Sequence, residues 1–264
     1  MQMEITVVPH NGNVRLDYSY YYNFASATYK MLGSVNAELA ENLHDGEHKS
    51  RIKMFGVSPL AYGRPQKDCI LFAQPTFFTI SSPWPELINS LGEGLVRSKE
   101  LYIGSQNFRV AAVNIVMPPD FKENMTWLPR MNSSFVVSET PKDEKKKEYI
   151  MPDNPKCAEL MKNNLIHKWK RLCEIREDIA ASWSNTPVEE CSNLFNADDI
   201  ELTFVGEHKT KMHLIKTVPV QSFKNIEIHM KAPLPLQRLA WSCGLGEMNS
   251  MCYGVVERRG TCNS

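Results

Sequence analysis

The chain opens on alternation. In residues 3–9 (MEITVVP), Met3, Ile5 and Val7 recur at every second position, the period of a half-buried strand. From Tyr20 to Leu43 the apolar residues switch to a helical period, with a break expected at Gly33-Ser34. Residues 52–60 and 69–80 read as extended, the second stretch concentrating β-branched and aromatic residues in FFTI. Ser82-Pro83 opens a helix whose Leu87, Ile88, Leu91 and Leu95 share one face. Residues 108–116 (FRVAAVNIV) close the set as a strand. Strand, helix, strand, strand, helix, strand is the ferredoxin-like order, in which two helices cover one face of an antiparallel sheet.

Pro118-Pro119 then divides the chain into an N-terminal domain, 1–119, and a C-terminal one, 120–264. The same order recurs more loosely after it. Residues 135–138 are extended, and 155–174 are helical, with Leu160, Leu165, Trp169 and Leu172 spaced for burial. Residues 200–205 and 212–228 supply strands, 234–243 a short helix and 253–257 a last strand, with extra helical material between 174 and 196. The expected fold is α+β: two tandem ferredoxin-like domains, each with helices on one face of an antiparallel sheet.

Composition narrows the chemistry. A length of 264 residues suits two domains, and 42% hydrophobic with 23% charged residues is an ordinary globular mixture. Formal net charge is zero, so an RNA-binding surface would have to be a local patch. No signal-peptide pattern starts the chain and no apolar run approaches the ~18 residues of a membrane span, which predicts a cytoplasmic protein. The seven cysteines form no CxxC pair and no zinc spacing. They read as reduced thiols, and no metal or cofactor is expected.

Residues 244–254, GLGEMNSMCYG, lie between a predicted helix and a predicted strand. Such a loop suits a phosphate, because glycine lets backbone N–H groups approach a ligand. It lacks the Lys-Ser/Thr of a P-loop, and its placement is wrong for a dinucleotide fingerprint. Taken alone, the glycines fit a helix cap followed by a turn equally well. The longer string LAWSCGLGEMNSMCYGVVE resembles the C-terminal glycine-rich loop of the CRISPR repeat-processing endoribonucleases, GxGExNSxGxG. Gly244, Gly246, Glu247, Asn249, Ser250 and Gly254 match it. Cys252 stands where glycine is usual and is expected to narrow the loop's backbone freedom. YYNFASATYKML resembles that family's first helix and FGVSPL the strand entered after it. The stretch from Glu139 to Phe204 carries no matching motif.

The resemblance implies two ferredoxin-like domains and metal-independent cleavage within CRISPR repeats. The ribose 2′-OH would attack its own phosphate, leaving a cyclic phosphate and a 5′-OH. It also implies three catalytic positions: Tyr29, His44 and Lys53. A histidine titrates near neutrality and can move the protons, a lysine can steady phosphoryl charge, and a tyrosine can orient the 2′-OH or the phosphate. Without the resemblance, His44 reads as a partner for a helix dipole, Tyr29 as core and Lys53 as solvated surface. The longer connection through HKSR leaves His48, Lys49 and Arg51 as alternatives.

The matched loop residues, with Lys209, Lys211 and Lys216, are the expected RNA contacts. Lys162, Lys168, Lys170 and Arg171 form a positive helix stripe that a solvated face explains as well. Lys142 and residues 145–147 lie in a mixed-charge stretch that reads as a solvated loop. The expected partners are the precursor transcript and other proteins of a CRISPR effector complex, with the chain a monomer or homodimer. The alternative is a subunit that binds repeat RNA without cutting it.

Overall fold

The computed structural model describes residues 1–45, 52–131, 133–141 and 147–257, with the backbone alone at Asn42, His44, Asp45 and Arg130. The first half contains β1 (Gln2–Pro9), α1 (Tyr21–Val35), α2 (Ala37–Asp45), β2 (Gly56–Val57), β3 (Thr76–Ser81), α3 (Pro85–Ser98), β4 (Glu100–Ile103) and β5 (Gln106–Val116). They form an antiparallel sheet in the order β2-β3-β1-β5-β4. Without its edge strand β4, that is the ferredoxin-like arrangement. The alternation of β1 places Met3, Ile5 and Val7 in one core with Leu87, Ile88, Leu91 and Leu95 of α3.

Three local expectations shift, each for a visible reason. The helix breaks at Asn36, not at Gly33-Ser34, which stay helical. Asn36 N–H donates to the Leu32 carbonyl, and its side-chain oxygen accepts from Leu39 N at 3.0 Å, starting α2. Helix α3 begins at Pro85, because Ser82 Oγ accepts from Trp84 N at 3.0 Å and proline is pre-set for a first helical turn. Residues 69–80 are not one strand. Ile70–Phe72 pairs with Val14–Leu16 and Arg64–Pro65 in a small separate sheet, and only Thr76–Ser81 beyond Pro75 joins the main one.

The second half repeats the order with insertions: β6 (Thr126–Trp127), β7 (Arg130–Met131), α4 (Pro155–Ile175), α5 (Glu177–Ser184), β8 (Glu201–Val205), β9 (Lys209–Ile215), β10 (Val218–Lys224), β11 (Glu227–Lys231), α6 (Leu234–Cys243) and β12 (Val256–Glu257). Strand β12 pairs with β7, β6 with β11, and β11 with β8. The ferredoxin-like order therefore returns, with the first strand split around Leu128-Pro129. The fold is α+β, with two such halves in tandem. Residues 212–228, expected as strand, divide between the β9–β10 hairpin and the start of β11. Of residues 253–257, only the last two are strand. Residues 135–138 reach the sheets through a bridge from Phe135 to Phe223 and the short pairing of Ser138–Glu139 with Glu148–Tyr149.

The halves interpenetrate. Cys252 and Tyr253 belong to the core of the first half, and Met54 to that of the second. Gln2 is buried and donates through Nε2 to the carbonyls of Trp241 and Val256, both at 2.8 Å. A Gln2→Leu variant would leave both carbonyls short of a donor in a dry site, and is expected to lower unfolding free energy by about 1–3 kcal/mol. Urea denaturation checks this; an unchanged midpoint would mean that Gln2 contributes nothing to docking the halves.

Candidate active site

A cleft of about 870 Å³ opens where the halves meet. One wall is the face of α1 that carries Tyr22, Ser26 and Tyr29. The glycine-rich loop and Asn164, His167 and Lys168 of α4 also line the cleft. Tyr29 is half-buried, its ring edge-on to Phe55 at 5.5 Å between centroids, and its hydroxyl is hydrogen-bonded to Ser250. Burial pushes its phenol up to about 12, only partly offset by that hydrogen bond. At neutral pH Tyr29 is thus a hydrogen-bond donor and not a base.

Lys53 lines the same cleft, and its Nζ donates to the Leu43 carbonyl in the last turn of α2. Cations are favourable at a helix C-terminus, where carbonyls lack helical partners. His44 follows Leu43 directly. Its backbone closes α2, and its side chain lies outside the described residues, as do His48, Lys49 and Arg51. Tyr29 and Lys53 thus line one cleft, and Lys53 ties it to the end of α2.

The glycine-rich loop is bonded both to itself and to the segments beside it. Gly244, Gly246 and Gly254 take positive φ, and a 3₁₀ turn runs over Asn249–Met251. Leu245 N–H donates to Gly254 O at 2.8 Å, Glu247 N–H to Val136 O at 2.8 Å and Gly254 N–H to Ser134 O at 2.9 Å. Asn249 Nδ2 donates to the carbonyls of Leu245 and Tyr253, both at 3.1 Å. The expectation of a cradle of amide donors is corrected in part, since one of those N–H groups closes the loop on itself and two tie it to Ser134 and Val136. Gly244 and Gly254 do not line the cleft; Gly246, Glu247, Asn249 and Ser250 do. The Glu247 carboxylate is held by Ser138 N–H, Ser138 Oγ and Lys147 Nζ at 2.7–2.9 Å. Cys252 adopts the left-handed conformation at φ 69°, with its side chain buried in the first half's core.

Lys209 and Lys211 lie exposed on the β9–β10 hairpin, and Lys216 at its turn places Nζ 4.7 Å from the centre of the Tyr22 ring. His213 anchors the hairpin against Tyr21, 4.7 Å between ring centres. Burial, followed by Lys211 and Lys224, holds it down to about 4. The alternate face carries Met212 and Leu214, both more than half exposed. Lys168, assigned by sequence to a positive stripe, is 2% exposed, so that reading is corrected. Sequence reasoning missed His167 and Asn164. Only their spacing with Lys168 on one face of α4 could have indicated them.

Residues 116–258 match the family model described as CRISPR associated protein Cas6, C-terminal, and residues 15–114 match CRISPR-associated protein Cas6, N-terminal. The chain belongs to the Cas6 family. It is 26% identical over 260 residues to the CRISPR-associated endoribonuclease Cas6 1 of Methanocaldococcus jannaschii, covering 97% of this chain and 92% of that one. A solved structure of a CRISPR associated protein Cas6 superposes with a TM-score of 0.71 at 23% identity, covering 98% of both chains. A RAMP protein described as binding different RNA substrates gives 0.76 at 17% identity, over 97% of this chain and 98% of that one. The tandem ferredoxin-like fold is thus shared along nearly the whole length of this Cas6 chain. Among the described residues, no helix is long and apolar enough to cross a membrane.

Proposed function

We propose that this Cas6-family chain is an endoribonuclease that cuts CRISPR precursor RNA within its repeats, without a metal ion, by attack of the 2′-OH on the adjacent phosphate. The observation that supports this reading is one cleft lined by Tyr29, Lys53 and the glycine-rich loop, with Lys53 bonded to the Leu43 carbonyl next to His44 in the chain. His44 moves the proton, since an imidazole with an ordinary pKa near 6.5 can act in either direction at neutral pH. Lys53 carries fixed charge toward the phosphoryl oxygens. Tyr29, protonated, donates to the 2′-OH or the phosphate. His44 takes the 2′-OH proton as the O2′–P bond forms and returns it to the 5′-oxygen as the P–O5′ bond breaks, so the step balances with RNA and side chains and needs no ion. Gly246, Glu247, Asn249 and Ser250 form the loop wall past which RNA runs, and Gly244 and Gly254 shape it from behind. Lys209, Lys211 and Lys216 hold the backbone electrostatically.

The test is labelled repeat RNA incubated with the chain in EDTA, beside an RNA carrying one 2′-deoxyribose at the cut site. The expected products are a 2′,3′-cyclic phosphate and a 5′-OH, with the deoxy RNA bound but intact. Cleavage of the deoxy RNA, or cutting that appears only with added magnesium, would overturn the mechanism. Tight binding with no cutting of either RNA would instead mark a binding subunit.

A further inference from the structure

Lys168 sits in the middle of α4, between Leu165 and Leu172 and beside Trp169, all buried in the second half's core. A lysine here would be costly to bury without partners. Its Nζ has three: the carbonyls of Gly244 and Gly246, each at 2.9 Å, and Asn249 Oδ1 at 2.7 Å. An ammonium has three donors and no acceptor, so its capacity is matched one for one. A planar guanidinium could not converge three donors on acceptors around one point. Because Asn249 Oδ1 faces the ammonium, its Nδ2 is turned to the carbonyls of Leu245 and Tyr253, tying the loop across its width. The next residue, Ser250, is hydrogen-bonded to Tyr29. Direct contacts therefore run from the centre of α4, through the loop, to the α1 side of the cleft.

We propose that Lys168 is a positioning residue for RNA cleavage, whose ammonium locks the glycine-rich loop in the shape that presents Ser250 to Tyr29. The proposal rests on the cleavage reading above, and it concerns a residue that does not touch the reacting atoms. Burial draws the ammonium down to about 8, opposed by Cys243 of α6 and Glu247 of the loop. The Cys243 thiol is itself pushed up to about 12 by burial, which leaves Glu247, paired with Lys147, as the charged neighbour. Losing the proton removes one of the three donors and turns a lone pair toward the acceptors. The lock therefore weakens as pH rises through about 8.

The test is Lys168→Met in the full chain, read by single-turnover cleavage at saturating repeat RNA, by RNA affinity, and by amide exchange over residues 244–254 without RNA. Displacing a group that orients the reaction by about an ångström costs on the order of 100-fold in rate, so a loss of that size is expected with Kd nearly unchanged. Loop amides should exchange faster while those of α3 keep their protection. Wild type should lose rate above about pH 8, and the variant should lack that limb. Asn249→Ala should show the same rate defect, and the double variant should be no worse than either single one, because the two side chains act as a unit. If Lys168→Met does not fold by circular dichroism, Lys168→Arg decides by the same readouts, since a guanidinium keeps the charge but cannot converge on the three acceptors. Wild-type rate in a folded variant, unchanged loop exchange, or additive defects would each overturn the proposal. Should wild type itself not cut, the cleavage reading fails, while the exchange measurement still tests the lock.

Discussion

His44→Ala is expected to slow single-turnover cleavage of repeat RNA by about 10²–10⁴-fold, the usual contribution of one positioned acid or base, with RNA affinity close to wild type. The family resemblance implies this residue, and neither Tyr29 nor Lys53 competes for its role. Tyr29 cannot be the base at neutral pH, because burial holds its proton to about 12. Lys53 is engaged with the Leu43 carbonyl at the end of α2, which suits a fixed charge better than a proton shuttle. His44 directly follows that carbonyl in the chain, so its backbone stands at the same helix end that Lys53 marks. The measurement is a quenched time course with enzyme in excess, made across pH 5–9 so that a limb near an ordinary histidine pKa of about 6.5 can be seen to vanish in the variant. A variant that cut at the wild-type rate would remove His44 from the mechanism. His167, exposed on α4 and open to the same cleft, would then be the histidine to replace.

The sequence carried the fold where a side-chain period was long and regular. Met3, Ile5 and Val7 announce β1, and the helical spacing of Leu87 to Leu95 announces α3, because one face of each meets the same core. It failed where a single polar atom decides a boundary. Asn36 starts α2 through its own side chain, and nothing in the pattern distinguishes it from the glycine and serine just before it. Short strands such as β2, β7 and β12 hold only two residues each and have no period to read. The candidate site shows the same division. Tyr29 and Lys53 come from motifs and do reach one cleft, whereas Lys168 looks like one more charge on a helical stripe. Its burial depends on three oxygens that lie 76 to 81 residues away in sequence, a meeting that only the closed fold brings about.

Gly254→Ala is expected to destabilise the chain by about 3–5 kcal/mol, combining overpacking with loss of buried hydrogen bonds. Gly254 has φ +67°, and a Cβ there would lie directly on the Leu245 carbonyl oxygen and 2.5 Å from Asn249 Nδ2. Neither neighbour is free to give way. That carbonyl accepts from Asn249, Gly254 O accepts from Leu245 N–H, and Gly254 N–H is bonded to Ser134 O. Any displacement therefore breaks several bonds of the loop at once. Gly12 supplies the control, since it has φ +80° but nothing within 4 Å of the place a methyl group would take. Gly12→Ala should cost only the left-handed strain of an alanine, about 1–2 kcal/mol. Paired urea titrations separate the two contributions: the excess for Gly254→Ala over Gly12→Ala measures the close approach alone. Equal losses would mean that the loop can rearrange around a methyl group, and the tight internal bonding seen around Asn249 would then not be what fixes its shape.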